Sequence, residues 1–176
     1  GVVARVAPIT YLTLDAWLAR CPTPAVVLVL DQVQHPKNLG MLLRTAAAAG
    51  AAAVVLPKRG GALVDDTVLR ASAGTAHQLP LVTCDKTAQA LRTLQAAGFW
   101  VYALDTTAKE SVFTCAWPAR AALVIGNEAR GLGPAVRKVC DTALHIPMAE
   151  GVESLNAAVS AALALYAARR HQGAWS

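Results

Sequence analysis

Short continuous apolar runs alternate with longer amphipathic segments along this chain. Residues 25–30 (AVVLVL) form an uninterrupted, β-branched run, which is typical of a strand buried on both faces of a parallel sheet. Further runs of strand length lie at residues 52–56, 79–82, 99–104, 121–125 and 143–146. Most of these runs are separated by helical segments, so the pattern predicts an α/β fold with a mainly parallel six-stranded sheet flanked by helices.

The predicted helices carry ordinary start and stop signals. Gly50 closes a helix over residues 40–49, Gly98 closes one over residues 86–97, and Pro134 opens a short helix over residues 134–139. An alanine-rich helix opens at Asn156 after a strand and a polar loop. Helices are also predicted at residues 14–20 and 63–73.

The first 24 residues have the composition of a lead-in or linker, ending in CPTP at residues 21–24. The core is expected to begin afterwards, so that residues 25–176 form one domain. No internal repeat or low-complexity tract divides this region.

Charge and cysteine usage narrow the classes of function. The formal net charge of +5 weakly favours a phosphate-bearing partner. Four scattered cysteines form no C-x-x-C pair and have no histidine partner nearby, which argues against a metal site or a disulfide framework and favours a reducing cytoplasm. The longest uncharged apolar stretches fall short of the about 18 residues that a membrane span needs, so no membrane association is expected.

The first candidate motif follows the first predicted strand, in HPKNLGMLLRT at residues 35–45. Asn38 is suited to cap the next helix, and Arg44 lies one turn into that helix. A capped helix with a solvated arginine is the alternative interpretation. His35, Lys37 and Arg44 stand where a parallel strand ends, which is the usual ligand edge of such sheets, and this placement favours a site.

The second candidate motif is the loop GNEARGLG at residues 126–133, directly after a predicted strand. Its three glycines permit close backbone approach to a ligand. The spacing fits neither the dinucleotide fingerprint nor the triphosphate-binding loop. Glu128 is a lone acid between glycines after a buried strand, so we predict a functional carboxylate, with an exposed loop side chain as the alternative.

The third candidate motif joins the last predicted strand to the last helix, in LHIPMAEGVESLN at residues 144–156. Such a strand, loop and helix start can bind ligands through unpaired N–H groups and the helix dipole. Ser154 and Asn156 are also the commonest kinds of helix cap, so alone they decide little.

Together the three stretches resemble the motifs of the SpoU/TrmH group of SPOUT methyltransferases, which transfer a methyl group from S-adenosylmethionine to ribose 2′-hydroxyls of RNA. The first resembles N-x-G-x-x-x-R-T, met by Asn38, Gly40, Arg44 and Thr45. The second resembles GNE-x-x-G at residues 126–131, and the third resembles IPM followed by ESLN at residues 146–148 and 153–156. The opening GVVA also resembles the junction before the catalytic domain in the branch that modifies guanosine of large-subunit ribosomal RNA. A small RNA-binding domain is therefore expected before residue 1.

The resemblance implies a homodimer with a C-terminal trefoil knot, S-adenosylmethionine as cofactor, no metal, and RNA as substrate. It assigns cofactor binding to Leu104, Thr106, Gly126, Ile146, Met148 and Leu155. It assigns the reaction to Arg44, Asn38, Glu128, Ser154 and Asn156. Because a neutral guanidinium is costly and its planar fork suits phosphate, we predict that Arg44 orients and clamps rather than acts as a base.

Basic residues outside the reaction centre are candidates for contacts to RNA, although each alone is better explained as solvated surface. They are His35, Lys37, Lys58, Arg59 and Arg130, with Arg137 and Lys138 beside them. Other functions stay open: a transfer-RNA or base methyltransferase of the same fold, or a non-catalytic RNA-binding module. A nicotinamide-dependent oxidoreductase is disfavoured, because no G-x-G-x-x-G follows the first strand.

Overall fold

One parallel sheet of eight strands organises residues 8–175, the part of the chain that this computed structural model describes. The strand order is β1-β4-β3-β2-β7-β5-β8-β6. The strands are β1 (Tyr11–Thr13), β2 (Ala25–Leu30), β3 (Ala53–Pro57), β4 (Leu81–Cys84), β5 (Trp100–Leu104), β6 (Glu110–Ser111), β7 (Arg120–Ile125) and β8 (Thr142–His145). The predicted α/β class with a parallel sheet flanked by helices is confirmed.

The predicted number of six strands is wrong, because β1 and β6 also join the sheet. β1 has three residues and β6 has two, so neither is long enough to produce a recognisable apolar run. Both are edge strands, held by pairing to β4 and β8 respectively. The opening residues 1–4, with their GVVA junction, lie outside the described residues.

Helices cover both faces of the sheet. They are α1 (Leu14–Leu18), α2 (Pro36–Ala48), α3 (Asp66–Ala71), α4 (Thr87–Ala96), α5 (Pro134–Arg137) and α6 (Ala157–His171), with a 3₁₀ turn at Thr75–Gln78. Along β2, Val26, Leu28 and Leu30 face the core beneath α2, α3 and α6. The alternate residues Ala25, Val27 and Val29 face the core beneath α1, α4 and α5. All six side chains are buried, which explains the continuous apolar run.

The start of α2 corrects one sequence prediction. His35 is the N-cap residue and Pro36 opens the helix, so Asn38 lies inside the first turn instead of capping it. Proline favours the first helical position because its fixed φ suits a helix and it lacks an N–H that would be unsatisfied there. Arg44 consequently lies about two turns into the helix.

Close packing between α2 and α3 requires a glycine at position 40. A Cβ there would lie 2.8 Å from the carbonyl oxygen of Val68 and would overlap the Cβ of Ala71. The glycine of the first motif therefore has a packing role. On α6, Ala161, Ala164 and Ala168 are fully buried, so this small face belongs to the core.

The loops that follow β2, β7, β5 and β8 meet at one edge of the sheet, because these four parallel strands are neighbours. These loops carry the three motifs. No helix among residues 8–175 is long and apolar enough to cross a membrane. Within the same range, no cluster of His, Cys, Asp and Glu side chains is arranged to hold a metal ion.

Candidate active site

Glu128 joins the loop after β7 to the loop after β2. Its Oε2 accepts a hydrogen bond from the backbone N–H of Gln34 at 3.1 Å, and its Oε1 accepts one from the N–H of His35 at 3.2 Å. The side-chain Nδ2 of Asn38 also donates to Oε1, at 3.1 Å. The carboxylate thus binds two N–H groups at the start of α2, where acidic groups are favoured by the helix dipole.

The ionised form of Glu128 is stabilised by these donors. Partial burial alone would raise its pKa, but the hydrogen bonds from Asn38, Gln34 and His35 outweigh burial and hold the pKa below its ordinary value. Glu128 is therefore a carboxylate at neutral pH. It is an acceptor that organises the loop, and it is poorly suited to donate a proton.

Asn38 connects this carboxylate to the third motif. Its Oδ1 accepts a hydrogen bond from Nδ2 of Asn156 at 3.2 Å. Asn156 is the N-cap of α6, and its own Oδ1 accepts from the N–H of Ala158 at 2.8 Å. The predicted cap at Asn156 is confirmed, and the same side chain is part of a polar chain that runs from Glu128 through Asn38 to the start of α6.

The loop at residues 126–133 is a tight turn that requires glycine. Asn127 and Gly131 exchange backbone hydrogen bonds of 2.9 and 2.8 Å, and Gly131 has a positive φ of 66°. A Cβ on Gly126 would lie 2.5 Å from the backbone nitrogen of Leu132. Asn127 closes the turn, because its Oδ1 accepts from the N–H groups of Ala129 and Arg130 at 3.0 Å.

A cleft opens beside the polar chain, between the loops after β5, β7 and β8. One part has a volume of about 110 Å³ and is lined by the predicted cofactor residues Leu104, Thr106, Ile146, Met148 and Leu155 together with Asp105, Leu144, His145, Ser154 and Ser160. An adjoining part of about 380 Å³ shares Leu104, Ser154, Leu155 and Ser160. Gly126, Asn38, Glu128 and Asn156 line this second part.

The predicted cofactor residues and the predicted reaction residues thus meet at this cleft, with the exception of Arg44. Ser154 lines the cleft, but its side chain makes no hydrogen bond within residues 8–175. Arg44 lies outside the cleft lining. It is exposed on α2, on the same face as Lys37 and Met41, and its guanidinium has no hydrogen bond or ion pair to the described residues.

The basic candidates occupy different surroundings. His35, Lys37, Arg59 and Arg130 are exposed, and Lys58 forms an exposed ion pair of 3.0 Å with Asp85. Lys138 is also exposed. Arg137 instead forms an ion pair with Asp105, a cleft residue whose Oδ1 also accepts from the N–H and hydroxyl of Thr107 at 3.0 and 2.8 Å. Arg137 therefore has a partner inside the protein.

The sequence interpretation missed one residue that shapes the site, Asp31, and gave no specific role to Asn127 or Asp105 within their motif and loop. Asp31, buried directly after β2, accepts a hydrogen bond from the N–H of Gly133 at 3.0 Å and holds the glycine loop to the end of β2. Asn127 and Asp105 stabilise the loops described above. Asp31 and Asp105 directly follow apolar runs, as Glu128 nearly does, so an acid at a strand end was the available signal.

Comparisons with known proteins agree with this geometry. The sequence model of the SpoU rRNA Methylase family matches residues 25–166. The chain belongs to this family. Its SpoU relatives include the 23S rRNA (guanosine-2'-O-)-methyltransferase RlmB of Xanthomonas axonopodis pv. citri (strain 306), which is 44% identical over 148 residues. That alignment covers 84% of this chain and 59% of the relative.

Other SpoU-family proteins extend the match. RlmB of Ralstonia nicotianae is 39% identical over 173 residues, covering 98% of this chain and 70% of the relative. The solved SpoU methyltransferase AviRb from Streptomyces viridochromogenes, in complex with the cofactor AdoMet, superimposes with a TM-score of 0.85. It is 28% identical, and the match covers 94% of this chain and 67% of that one. The chain thus spans less than two thirds of the length of the Xanthomonas relative.

Proposed function

We propose that this chain transfers a methyl group from S-adenosylmethionine to a ribose 2′-hydroxyl of RNA, with ribosomal RNA as the substrate. The observation that carries the proposal is the polar chain Glu128–Asn38–Asn156 beside the cleft, in a chain that belongs to the SpoU family. A transfer-RNA methyltransferase of the same fold is the nearest alternative.

The cleft suits the proposed cofactor. Leu104, Ile146, Met148 and Leu155 supply apolar walls, and Asp105 and Ser154 supply polar groups at its margin. This mixture of lining groups is typical of sites for molecules that carry an aromatic ring and polar ends. When bound, S-adenosylmethionine supplies an electrophilic methyl group. The RlmB relatives are named as methyltransferases, and AviRb was crystallised with AdoMet.

The protein's task is to orient the ribose and to stabilise the hydroxyl oxygen as it loses its proton. In the proposal, Glu128, Asn38 and Asn156 fix the loops on one side of the cleft, and Ser154 offers a hydroxyl to the ribose. Arg44 holds the phosphate next to that ribose. Its exposure and lack of an internal partner leave all its donors available for a bidentate contact.

Arg44→Lys tests this role for the arginine. Lysine keeps the charge but loses the planar fork, so we expect methyl transfer to fall at least tenfold while S-adenosylmethionine binding is unchanged. Arg92→Lys, on the opposite face of the sheet in α4, is the matched control. Near-normal methyl transfer by Arg44→Lys would contradict the clamp.

We also propose the C-terminal trefoil knot and a cytoplasmic homodimer. The sheet order supports the knot, because β8 is inserted between β5 and β6 before the chain continues to α6, which packs on α2. An experimental structure with residues 146–156 outside the loop between β5 and β7 would contradict the knot.

The dimer is supported by exposed apolar side chains along α6, where Val159 and Tyr166 are exposed and Trp175 stacks on Tyr166 at 4.8 Å. Sedimentation should then give a mass twice that of one chain, which is 18.3 kDa.

An upstream RNA-binding domain before residue 1 is the further part of the proposal, with its linker ending ahead of β1, because β1 and α1 belong to the sheet and its core. His35, Lys37, Lys58, Arg59 and Arg130 are the proposed contacts of this chain to RNA. The test is transfer of tritiated methyl groups to unmodified total RNA, with and without added upstream domain, followed by mapping of the modified nucleotide. Label on a base, or on transfer RNA alone, would contradict methylation of a ribose in ribosomal RNA. It would favour a base or transfer-RNA methyltransferase of the same fold.

A non-catalytic RNA-binding module is the second candidate, favoured by the exposure of the basic residues rather than by the cleft. Calorimetry distinguishes the two. An RNA-binding module would bind RNA in a salt-dependent manner but would not bind S-adenosylmethionine, whereas the proposed enzyme binds both.

A further inference from the structure

A second groove lies on the same edge of the sheet, beyond the candidate active site. It has a volume of about 290 Å³ and is lined by Tyr11, Leu56, Pro57, Lys58, Ala62, Leu63, Val64 and Thr83. We call it the Tyr11 groove. Its walls come from β1, the end of β3, and the loop that follows β3.

Two large side chains of the Tyr11 groove are unusually open to solvent. Leu63 is 76% exposed and Tyr11 is 43% exposed, although both line the groove together with the buried Leu56. The Tyr11 hydroxyl makes no hydrogen bond within residues 8–175. A partly exposed aromatic side chain beside an exposed aliphatic one is the kind of surface on which an unpaired nucleobase stacks.

Positive charge lies in the groove and next to it in the chain, as such a nucleotide needs. Lys58 lines the groove, and Arg59 follows Lys58 and is exposed without an ion-pair partner among the described residues. Lys58 is paired with Asp85, but both side chains are more than half exposed, and exposed pairs of this kind are weak enough for a phosphate to compete. A nucleotide with its base on Tyr11 therefore has a positively charged side chain, Arg59, available for its phosphate.

The groove is also connected to the candidate active site. The loop after β3 is held to the first motif by the N–H of Ala62, which donates to the carbonyl of Val33 at 2.8 Å, and by Gln34 Nε2, which donates to the carbonyl of Gly60. Strands β3 and β1 lie two and four places from β7 in the sheet, which is about 10 and 19 Å at a spacing of about 4.8 Å. A single strand of RNA can cover that distance within a few nucleotides.

We propose that the Tyr11 groove binds an unpaired nucleobase that flanks the target nucleotide, stacked on Tyr11 against Leu63, with its phosphate at Arg59. This inference rests on the proposed function and adds a recognition subsite within this chain. It predicts that the chain itself reads part of the single-stranded RNA around its target.

The test is equilibrium binding of two fluorescein-labelled, 12-nucleotide single-stranded RNAs, one with all bases and one with abasic sites throughout. Stacking on one aromatic ring corresponds to about 5- to 150-fold in affinity at tenfold per 1.4 kcal/mol. Tyr11→Ala should lose that factor for the normal RNA and nothing for the abasic RNA, whereas Tyr11→Phe should bind as the unchanged protein does. Arg59→Ala should instead lower the slope of log affinity against log salt by about 0.7.

Trp100→Ala is the matched control, because Trp100 is 49% exposed but lies on β5, five places from β1 in the sheet. Its affinity for both RNAs should be unchanged. Equal S-adenosylmethionine binding by all variants shows that they are folded. RNA binding with normal salt dependence, but no loss in Tyr11→Ala, overturns the groove and leaves the proposed function standing. Absence of both RNA and S-adenosylmethionine binding by the unchanged protein overturns both.

Discussion

Replacing Glu128 with glutamine should separate the loops of the first and second motifs. The carboxylate accepts three hydrogen bonds, from the N–H groups of Gln34 and His35 and from Asn38. Glutamine keeps one acceptor oxygen and turns an NH₂ group toward at least one of these donors. Such a bond contributes about 0.5–1.5 kcal/mol in a protein, and more when it is charged, but water can partly replace it at this half-exposed position.

The expected cost is about 1–2 kcal/mol of the free energy of unfolding, or a fall in Tm of about 2–8 °C for a chain of this size. Thermal denaturation followed by circular dichroism measures it. Glu150→Gln is the control, because Glu150 is an exposed carboxylate of the third motif that makes no hydrogen bond or ion pair to the described residues. Its Tm should change little.

The effect should also depend on pH with a definite sign. Hydrogen bonding lowers the pKa of Glu128 in the folded protein below the ordinary value of 4.5, so the unfolded chain takes up the proton first. The stabilisation is therefore complete above about pH 4.5 and is lost as the pH falls through the folded pKa. The difference in Tm between the unchanged protein and Glu128→Gln should shrink on acidification. Equal Tm values for Glu128→Gln and Glu150→Gln at pH 7 would refute the three-bond role.

Two further predictions concern packing and capping. Gly40→Ala should lower the free energy of unfolding by about 1–3 kcal/mol, because the added Cβ would overlap Ala71. Urea denaturation measures this loss. An unchanged midpoint would contradict the close approach of α2 and α3. Asn156→Ala should lower the free energy of unfolding by about 0.5–2 kcal/mol, because the cap of α6 is lost. It should also weaken S-adenosylmethionine binding, because the hydrogen bond to Asn38 is lost. A loss of stability with unchanged cofactor affinity would show that Asn156 only caps the helix.

Much of the fold follows from local sequence signals. The apolar run at residues 25–30 and the cap at Asn156 are properties of short segments, and the structure confirms both. The sequence pattern does not predict strands β1 and β6, because two or three residues cannot establish a period. These strands are held by pairing to their neighbours in the sheet. Asn38 was misassigned as a cap because Pro36 is the stronger start signal and moves the helix start toward the N-terminus.

The partners within the site could not be predicted from local signals. Asn38 and Glu128 are 90 residues apart, and they meet only because β7 is inserted beside β2 in the sheet. The same applies to Asp31 and Gly133, which are 102 residues apart. Residue type at strand ends indicated an edge with ligand-binding chemistry, whereas strand order decides which side chains touch. The exposed position of Arg44, away from the cleft lining, likewise depends on how α2 packs.

The central claim, that the cleft between the loops after β5, β7 and β8 holds S-adenosylmethionine, is tested most directly by calorimetry with a pair of glycine variants. Gly126→Ala places a Cβ 2.5 Å from the nitrogen of Leu132 and must displace the loop, whereas Gly133→Ala meets only Asp31 Oδ2 at 3.4 Å. We predict saturable binding of one S-adenosylmethionine per chain by the unchanged protein and by Gly133→Ala, and at least tenfold weaker binding by Gly126→Ala. Absence of binding to the folded, unchanged protein, or equal affinity in all three, would contradict the account.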